Sequence, residues 1–215
     1  MNAYIREPMN GLTHLIGAIL SFVGLLAMVI KAAGIHASTL HISAIIIFGI
    51  SMILLYSASA TYHMIIAKDR MIAFFRRIDH SMIFVLIAGS YAPFCLISLE
   101  GAIGWLLFAI ISLCAVLGVV FKLVWFSCPR WISTGLYIAM GWIIIFAAKP
   151  LAEVLSSTGL LLLILGGVLY TVGGIIYALK PKWLSFKYMG FHEIFHIFIM
   201  LGSLAHFLCV YFYVI

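Results

Sequence analysis

The sequence predicts an all-α, polytopic membrane protein built as a seven-transmembrane helix bundle, on the basis of its composition and the spacing of its polar residues. Hydrophobic residues fill 66% of the 215 positions and charged residues only 8%, and the mean hydropathy is +1.27. Water-soluble domains carry about 25% charged residues. Helices are the natural way for such a chain to cross a bilayer, because they satisfy their own backbone hydrogen bonds.

Seven apolar stretches are long enough to span a bilayer, which takes about 20 residues. The joints between them hold the helix breakers Gly101, Pro129, Pro150 and Pro181. The composition does not shift along the chain, so residues 1–215 are expected to form a single domain. The first stretch is expected to be retained as a span, since no small-residue cleavage site follows it. The predicted spans are 11–33, 41–66, 78–99, 103–124, 132–149, 159–179 and 191–214.

Basic residues collect on one side of the predicted bundle. The joints on the side of the N-terminus hold Arg6, Lys68, Arg70, Arg76, Arg77, Lys122, Arg130, Lys180, Lys182 and Lys187, and the other side holds Lys31 and Lys149. Short loops rich in Lys and Arg stay in the cytoplasm, which predicts a cytoplasmic N-terminus. The anionic inner leaflet accounts for the net charge of +6, so no nucleic-acid partner is expected.

Ionisable residues from three spans are predicted to meet at one depth near the cytoplasmic face. His63 lies about one turn before the basic joint at the inner end of the second span, Asp79 opens the third, and His192 and His196 open the seventh. Residues four apart share a helix face, so His192 and His196 can approach one metal ion together. Ionisable groups inside a span are costly and usually functional. This coincidence in depth is the main sequence evidence for a site.

Three imidazoles and one open position form the ligand set of a catalytic zinc site, where the metal activates water. His63, His192 and His196 are the candidate ligands. Ser59 lies four residues before His63 and faces the same way, where its hydroxyl can stabilise water or a developing oxyanion. Asp79 is the candidate general base, or it orients a ligand through a hydrogen bond. The sequence leaves those two roles of Asp79 open.

Other interpretations of the same residues remain open. His192-Glu193-Ile194-Phe195-His196 has the H-E-x-x-H pattern of zinc proteases, with Glu193 as base. An acid in a first helical turn also stabilises the helix by itself, and Asp79 is favoured over Glu193 as base. Asp79 is alternatively an ion-pair partner of Arg76 or Arg77.

Several motifs occur along the whole chain. They are Glu7-Pro8-Met9-Asn10, Thr13-His14, Ser59-Ala60-Thr61-Tyr62-His63, Asp79-His80, Gly89-Ser90-Tyr91-Ala92-Pro93 and the His192–His196 segment. Together these motifs resemble the bacterial hemolysin III family, which is similar to the adiponectin and progestin receptors (PAQR) and, more distantly, to alkaline ceramidases. The resemblance implies zinc held by His63, His192 and His196, with Ser59 and Asp79 around the activated water, in a multi-pass protein of the bacterial inner (plasma) membrane.

Two function classes follow. The first is a zinc-dependent, ceramidase-like hydrolase of a lipid amide or ester that affects membrane lipid homeostasis, with a membrane lipid as substrate or ligand. The second is a non-enzymatic regulator, a receptor-like protein or a cytolysin (hemolysin), in which zinc is structural. A fourth protein ligand would favour the structural role, and an open position beside Asp79 favours chemistry. An intramembrane metalloprotease is the remaining alternative.

Overall fold

The computed structural model describes residues 5–186 and 189–215, and this part of the chain contains helices and no strand. Seven of the helices are long and apolar enough to cross a membrane, which confirms the predicted fold class. Lys187, counted above among the basic residues, lies outside the described ranges. The seven helices are α1 (Pro8–Gly34), α2 (Thr39–Met64), α3 (Asp69–Ser98), α4 (Gly101–Val124), α5 (Arg130–Val154), α6 (Ser157–Leu179) and α7 (Phe191–Val214).

Two helix ends differ clearly from the prediction. α3 begins at Asp69 rather than at residue 78, because the arginines of its first turns lower hydropathy without opposing the helix. α5 continues to Val154, so the prediction that Pro150 ends the fifth span is wrong. Pro150 lies in the first turn of the segment Ala148–Val154, where the missing N–H of proline has no partner to lose.

Tyr91 supports an irregular part of α5. The segment Ile143–Ala147 is a 3₁₀ turn, so nearby backbone groups lose their usual helical partners. The Tyr91 hydroxyl lies 3.0 Å from the carbonyl oxygen of Met140 and 2.8 Å from that of Gly141, and it accepts a 2.8 Å hydrogen bond from the N–H of Ile144. The Tyr91 side chain of α3 thus supplies hydrogen bonds to the backbone of α5 where the helix changes from α to 3₁₀ hydrogen bonding.

The packing brings four helices together at one end of the bundle. α1 packs against α2 and α7, while α2 also packs against α3. α2 and α3 approach closely at Gly89, which has no side chain. A Cβ at that position would lie 2.1 Å from Oγ of Ser51. We call the end of the bundle where α1, α3 and α7 begin and α2 ends the N-terminal end. The predicted site residues on α2, α3 and α7 therefore lie towards this end, with Asp79 ten positions after the start of α3.

Candidate metal centre

The three histidines predicted as ligands lie together at the N-terminal end. One ring nitrogen from each of His63, His192 and His196 falls within 4.8 Å of the others. Nε2 of His63 lies 3.3 Å from Nε2 of His192. His63 and His196 are 2% and 1% exposed. The depth argument from the sequence therefore identified side chains from two helices that do meet.

The geometry and the donor set fit zinc. Zinc binds imidazole nitrogen at about 2.0–2.1 Å in a tetrahedral arrangement, which puts two nitrogen ligands about 3.4 Å apart. The 3.3 Å between Nε2 of His63 and Nε2 of His192 agrees with that spacing. Among the described residues, these three histidines form the one group of histidine, cysteine or acidic side chains that lie close enough to share a metal ion. A three-histidine set leaves one position of a tetrahedral site for water or substrate.

Hydrogen bonds from α1 and the residue before it orient two of the rings. Nδ1 of His63 is hydrogen-bonded to Oε2 of Glu7, and a carboxylate can only accept, so this bond puts the ring proton on Nδ1. Oγ1 of Thr13 donates to the Asn10 carbonyl at 2.9 Å and lies 3.3 Å from Nδ1 of His196. With its own proton given to Asn10, Thr13 accepts from Nδ1–H. Both rings then present an unprotonated Nε2, which is the form that binds a metal.

Glu193 stabilises the start of α7. Its Oε2 accepts the N–H of Gly190 at 2.7 Å, and its Oε1 accepts the side-chain amide of Asn10 at 2.9 Å. An acid at this position also interacts favourably with the helix dipole. Both carboxylate oxygens are thus used to fix α7 at its first turn and to join it to α1. This arrangement supports the structural interpretation of Glu193 over a base role.

His14 covers the remaining face of His196. The two rings stack with centroids 3.5 Å apart and planes at 10°. His14 is 3% exposed, and neither of its nitrogens has a hydrogen-bond partner among residues 5–186 and 189–215. His14 also lines the cavity beside the histidine cluster.

Sequence reasoning missed the roles of Glu7, Asn10, Thr13 and His14, although it noted the residues. The available signal was their spacing: positions 7, 10 and 14 recur at helical intervals and lie on one face of an otherwise apolar segment. Such a polar stripe in a membrane helix indicates contact with other polar groups.

A cavity of about 620 Å³ opens beside the histidines. Ser59 and Asp79 line it together with His192 and His196, and most of the remaining wall is apolar. Oγ of Ser59 is buried and has no hydrogen-bond partner within the described part of the chain. The cavity thus joins both predicted catalytic residues to two of the predicted ligands.

The ion-pair alternative for Asp79 is not formed. In the described ranges, the carboxylate of Asp79 has no basic nitrogen within 4.0 Å, including those of Arg76 and Arg77. Asp79 is 8% exposed. Its carboxylate is therefore free to accept a proton or a hydrogen bond at the cavity wall.

The fold and the histidine cluster define a polytopic helical membrane protein with a candidate metal centre. Residues 2–207 match the Haemolysin-III related family, and the chain belongs to that family. It is 43% identical over 218 residues to Hemolysin-3 of Bacillus cereus, covering 100% of this chain and 95% of the relative. It is also 43% identical over 208 residues to the Hemolysin-3 homolog of Bacillus subtilis (strain 168), covering 97% and 94%. The resemblance stated from the motifs is confirmed.

Proposed function

We propose that this protein is a zinc-dependent hydrolase of a lipid amide or ester, acting from within the membrane. The observation that carries the proposal is the cluster of three imidazoles, two of which line a cavity that also contains Asp79 and Ser59. A purely structural zinc site needs neither an open position nor a carboxylate and hydroxyl beside a cavity.

His63, through Nε2, and the rings of His192 and His196 would hold the zinc, which would act there as a Lewis acid that activates water and polarises a carbonyl. Asp79 takes a proton from the attacking water and returns one to the leaving amine or alcohol. The Ser59 hydroxyl donates to the oxygen that gains charge as the carbonyl is attacked. Water adds across the scissile bond, so the products are a carboxylic acid and an amine or alcohol.

The cavity fits an acyl substrate in both size and polarity. Its volume of about 620 Å³ is in the usual range for small-molecule sites, about 300–1,000 Å³. Leu86, Ile87, Phe94, Leu163 and Ile199 form part of its wall. An alkyl chain is stabilised by such a lining, while its carbonyl end lies beside Asp79 and His192.

Metal analysis of purified protein tests the ligand set. The variants His63→Ala and His196→Ala are expected to reduce bound zinc to background, and wild type to hold about one zinc per chain. His41→Ala is the matched control, because His41 lies at the opposite end of α2 and is 30% exposed. Full zinc content in the His63 and His196 variants would reject the site.

Lipid turnover tests the chemistry. Zinc-loaded wild type and Asp79→Asn are incubated with a total bacterial lipid extract, and released fatty acid is measured by mass spectrometry. Wild type is expected to release acid from at least one lipid class, and the variant to keep its zinc and lose about 10²–10⁴-fold in rate. If zinc-loaded wild type releases no acid from any lipid, the hydrolase proposal is wrong.

Membrane lysis is a second candidate, because the similar protein of Bacillus cereus carries the name Hemolysin-3. The test is dye release from sealed vesicles to which the purified protein is added. Release by wild type and by Asp79→Asn at equal rates would favour lysis without hydrolysis. Dye release by wild type but not by Asp79→Asn would show that lysis results from lipid cleavage.

A further inference from the structure

A group of cations without acidic partners lies at the N-terminal end of the cavity. Arg76, Lys122 and Arg130 line the wall there, and Asp79 is the single acid among the cavity-lining residues that the structure describes. Within residues 5–186 and 189–215, no carboxylate lies within 4.0 Å of a nitrogen of these three side chains. Like charges that are gathered without a counter-ion repel one another, and the repulsion is stronger where water is scarce.

Lys122 is the most deeply buried of the three cations, at 3% exposure. Its Nζ donates to Oγ of Ser133 at 2.8 Å and lies 3.6 Å from Sγ of Cys128. A hydroxyl and a thiol orient the ammonium group but do not neutralise it. A buried charge normally has a charged partner, so a partner for Lys122 from outside the chain is expected.

The cations lie close to one another and to the histidines. The Arg76 guanidinium carbon is 5.1 Å and the Lys122 Nζ 5.5 Å from the centroid of the Phe126 ring. The Arg130 guanidinium carbon is 5.2 Å from the Tyr177 ring, and that ring lies 5.7 Å from the His192 ring. The three cations are thus next to the candidate metal centre.

Hydrogen-bond donors at the same place have no partners. Nη1 of Arg130 and Oγ1 of Thr134 are buried without a hydrogen-bond partner among the described residues. Thr134 is 4% exposed, and both residues line the cavity. They are four positions apart on α5, so they share one helix face. Unsatisfied buried donors beside unpaired cations are the complement of an oxyanion.

We propose that Arg76, Lys122, Arg130 and Thr134 bind the phosphate of a lipid headgroup whose alkyl chains occupy the cavity. A lipid fits better than free phosphate, since the apolar wall continues from the cations through the cavity. The inference rests on the proposed function only in identifying the bound lipid as the substrate. In a glycerophospholipid one ester oxygen is on the carbon next to the phosphate-bearing carbon, so an ester carbonyl lies only a few bonds from the phosphate.

Equilibrium binding of ether lipids to the purified, zinc-loaded protein in detergent tests the proposal apart from hydrolysis, because ether chains have no ester to cleave. A dialkylglycerol phosphate is compared with the dialkylglycerol of the same chains. Wild type is expected to bind the phosphate form about tenfold more tightly or better, as charge-assisted hydrogen bonds require. Equal affinity for the two lipids would overturn the proposal.

Variants and controls locate the binding. Arg130→Gln and Lys122→Met should each remove most of the preference for the phosphate form. Arg70→Ala, an exposed cation at the same end of the bundle, should keep it, and so should Lys149→Ala at the other end of the cavity. Loss of the preference in Arg70→Ala alone would assign the effect to the protein surface and overturn the site.

Two further outcomes separate the alternatives. Inorganic phosphate that binds as tightly as the lipid would overturn the lipid assignment. A preference for the phosphate lipid without turnover of any ester lipid would support the phosphate site and reject the hydrolase proposal. Turnover of an ester lipid without a preference for the phosphate lipid would support the hydrolase proposal and overturn the phosphate site.

Discussion

Glu7 and Nδ1 of His63 are hydrogen-bonded to each other although 56 positions separate them in the chain. The backbone repeats the connection, since the N–H of Glu7 donates to the carbonyl of His63 at 3.0 Å. Arg6 adds a 2.7 Å bond to the carbonyl of Tyr62. The residues that precede α1 are thus fastened to the last turn of α2, where the first candidate ligand lies.

Glu7 is expected to raise zinc affinity by orienting His63. Glu7→Gln keeps the size of the side chain but removes the charge that holds the proton on Nδ1, and a loss of about 10- to 100-fold in zinc affinity is expected. Competition against a chelator of known affinity measures it. Glu153→Gln, an exposed acid on α5, is the control, and unchanged affinity in Glu7→Gln would contradict the orienting role.

Thr13 is expected to act on His196 through its hydroxyl. Thr13→Val keeps the shape and removes the acceptor, so zinc affinity should fall, while Thr13→Ser should retain it within about threefold. The same chelator competition is used. Thr61→Val is the matched control, because the Thr61 hydroxyl is exposed and bonds to its own helix. Equal losses in Thr13→Ser and Thr13→Val would show that packing, not the hydroxyl, matters.

Tyr91→Phe is expected to destabilise the fold without affecting zinc. The variant leaves buried backbone groups of α5 unsatisfied, at a cost of about 1–3 kcal/mol. For a chain of this length that lowers the thermal midpoint by about 2–12 °C. Thermal unfolding in detergent measures the shift, with Tyr213→Phe, at a residue 38% exposed, as control. Matching midpoints for the two variants would contradict the role of the Tyr91 hydroxyl.

Two adjacent glycines of α6 are expected to respond in opposite ways. A Cβ at Gly166 would lie 2.2 Å from Cδ2 of His206, whereas a Cβ at Gly167 meets nothing within 4 Å. Gly166→Ala must displace the His206 ring from its 3.2 Å contact with the Leu163 carbonyl and should lower the thermal midpoint. Gly167→Ala should leave it unchanged or raise it slightly, because alanine favours a helix by about 0.5–1 kcal/mol over glycine. The reverse order would refute the packing described.

The features that could be predicted from the sequence are those that depend on the length of a helix, its hydropathy and the depth of a residue in the membrane. The seven spans and the meeting of His63, His192 and His196 follow from distances along helices, which the chain encodes locally. The contacts of Glu7 and Thr13 depend instead on α1 packing between α2 and α7, and a linear pattern does not contain that arrangement. The cytoplasmic N-terminus and the single domain stay predictions.

The errors at helix ends have a local cause. Hydropathy marks where a helix enters lipid, and the arginines at the start of α3 lie before that point although they are helical. Pro150 resembled a terminator because a proline stops a helix in its interior. The backbone around it restarts as a new helical segment, and this depends on the 3₁₀ turn that Tyr91 supports.

The bonds from Asn10 to Glu193 and from Thr13 to His196 each join residues 183 positions apart. During synthesis α1 leaves the ribosome before α7. Until α7 arrives, the side chain of Asn10 lacks its partner Glu193 within lipid, where unsatisfied polar groups are costly. Assembly of the site is therefore a late step of biogenesis, and a nascent chain arrested before α7 should be a substrate for membrane quality-control proteases.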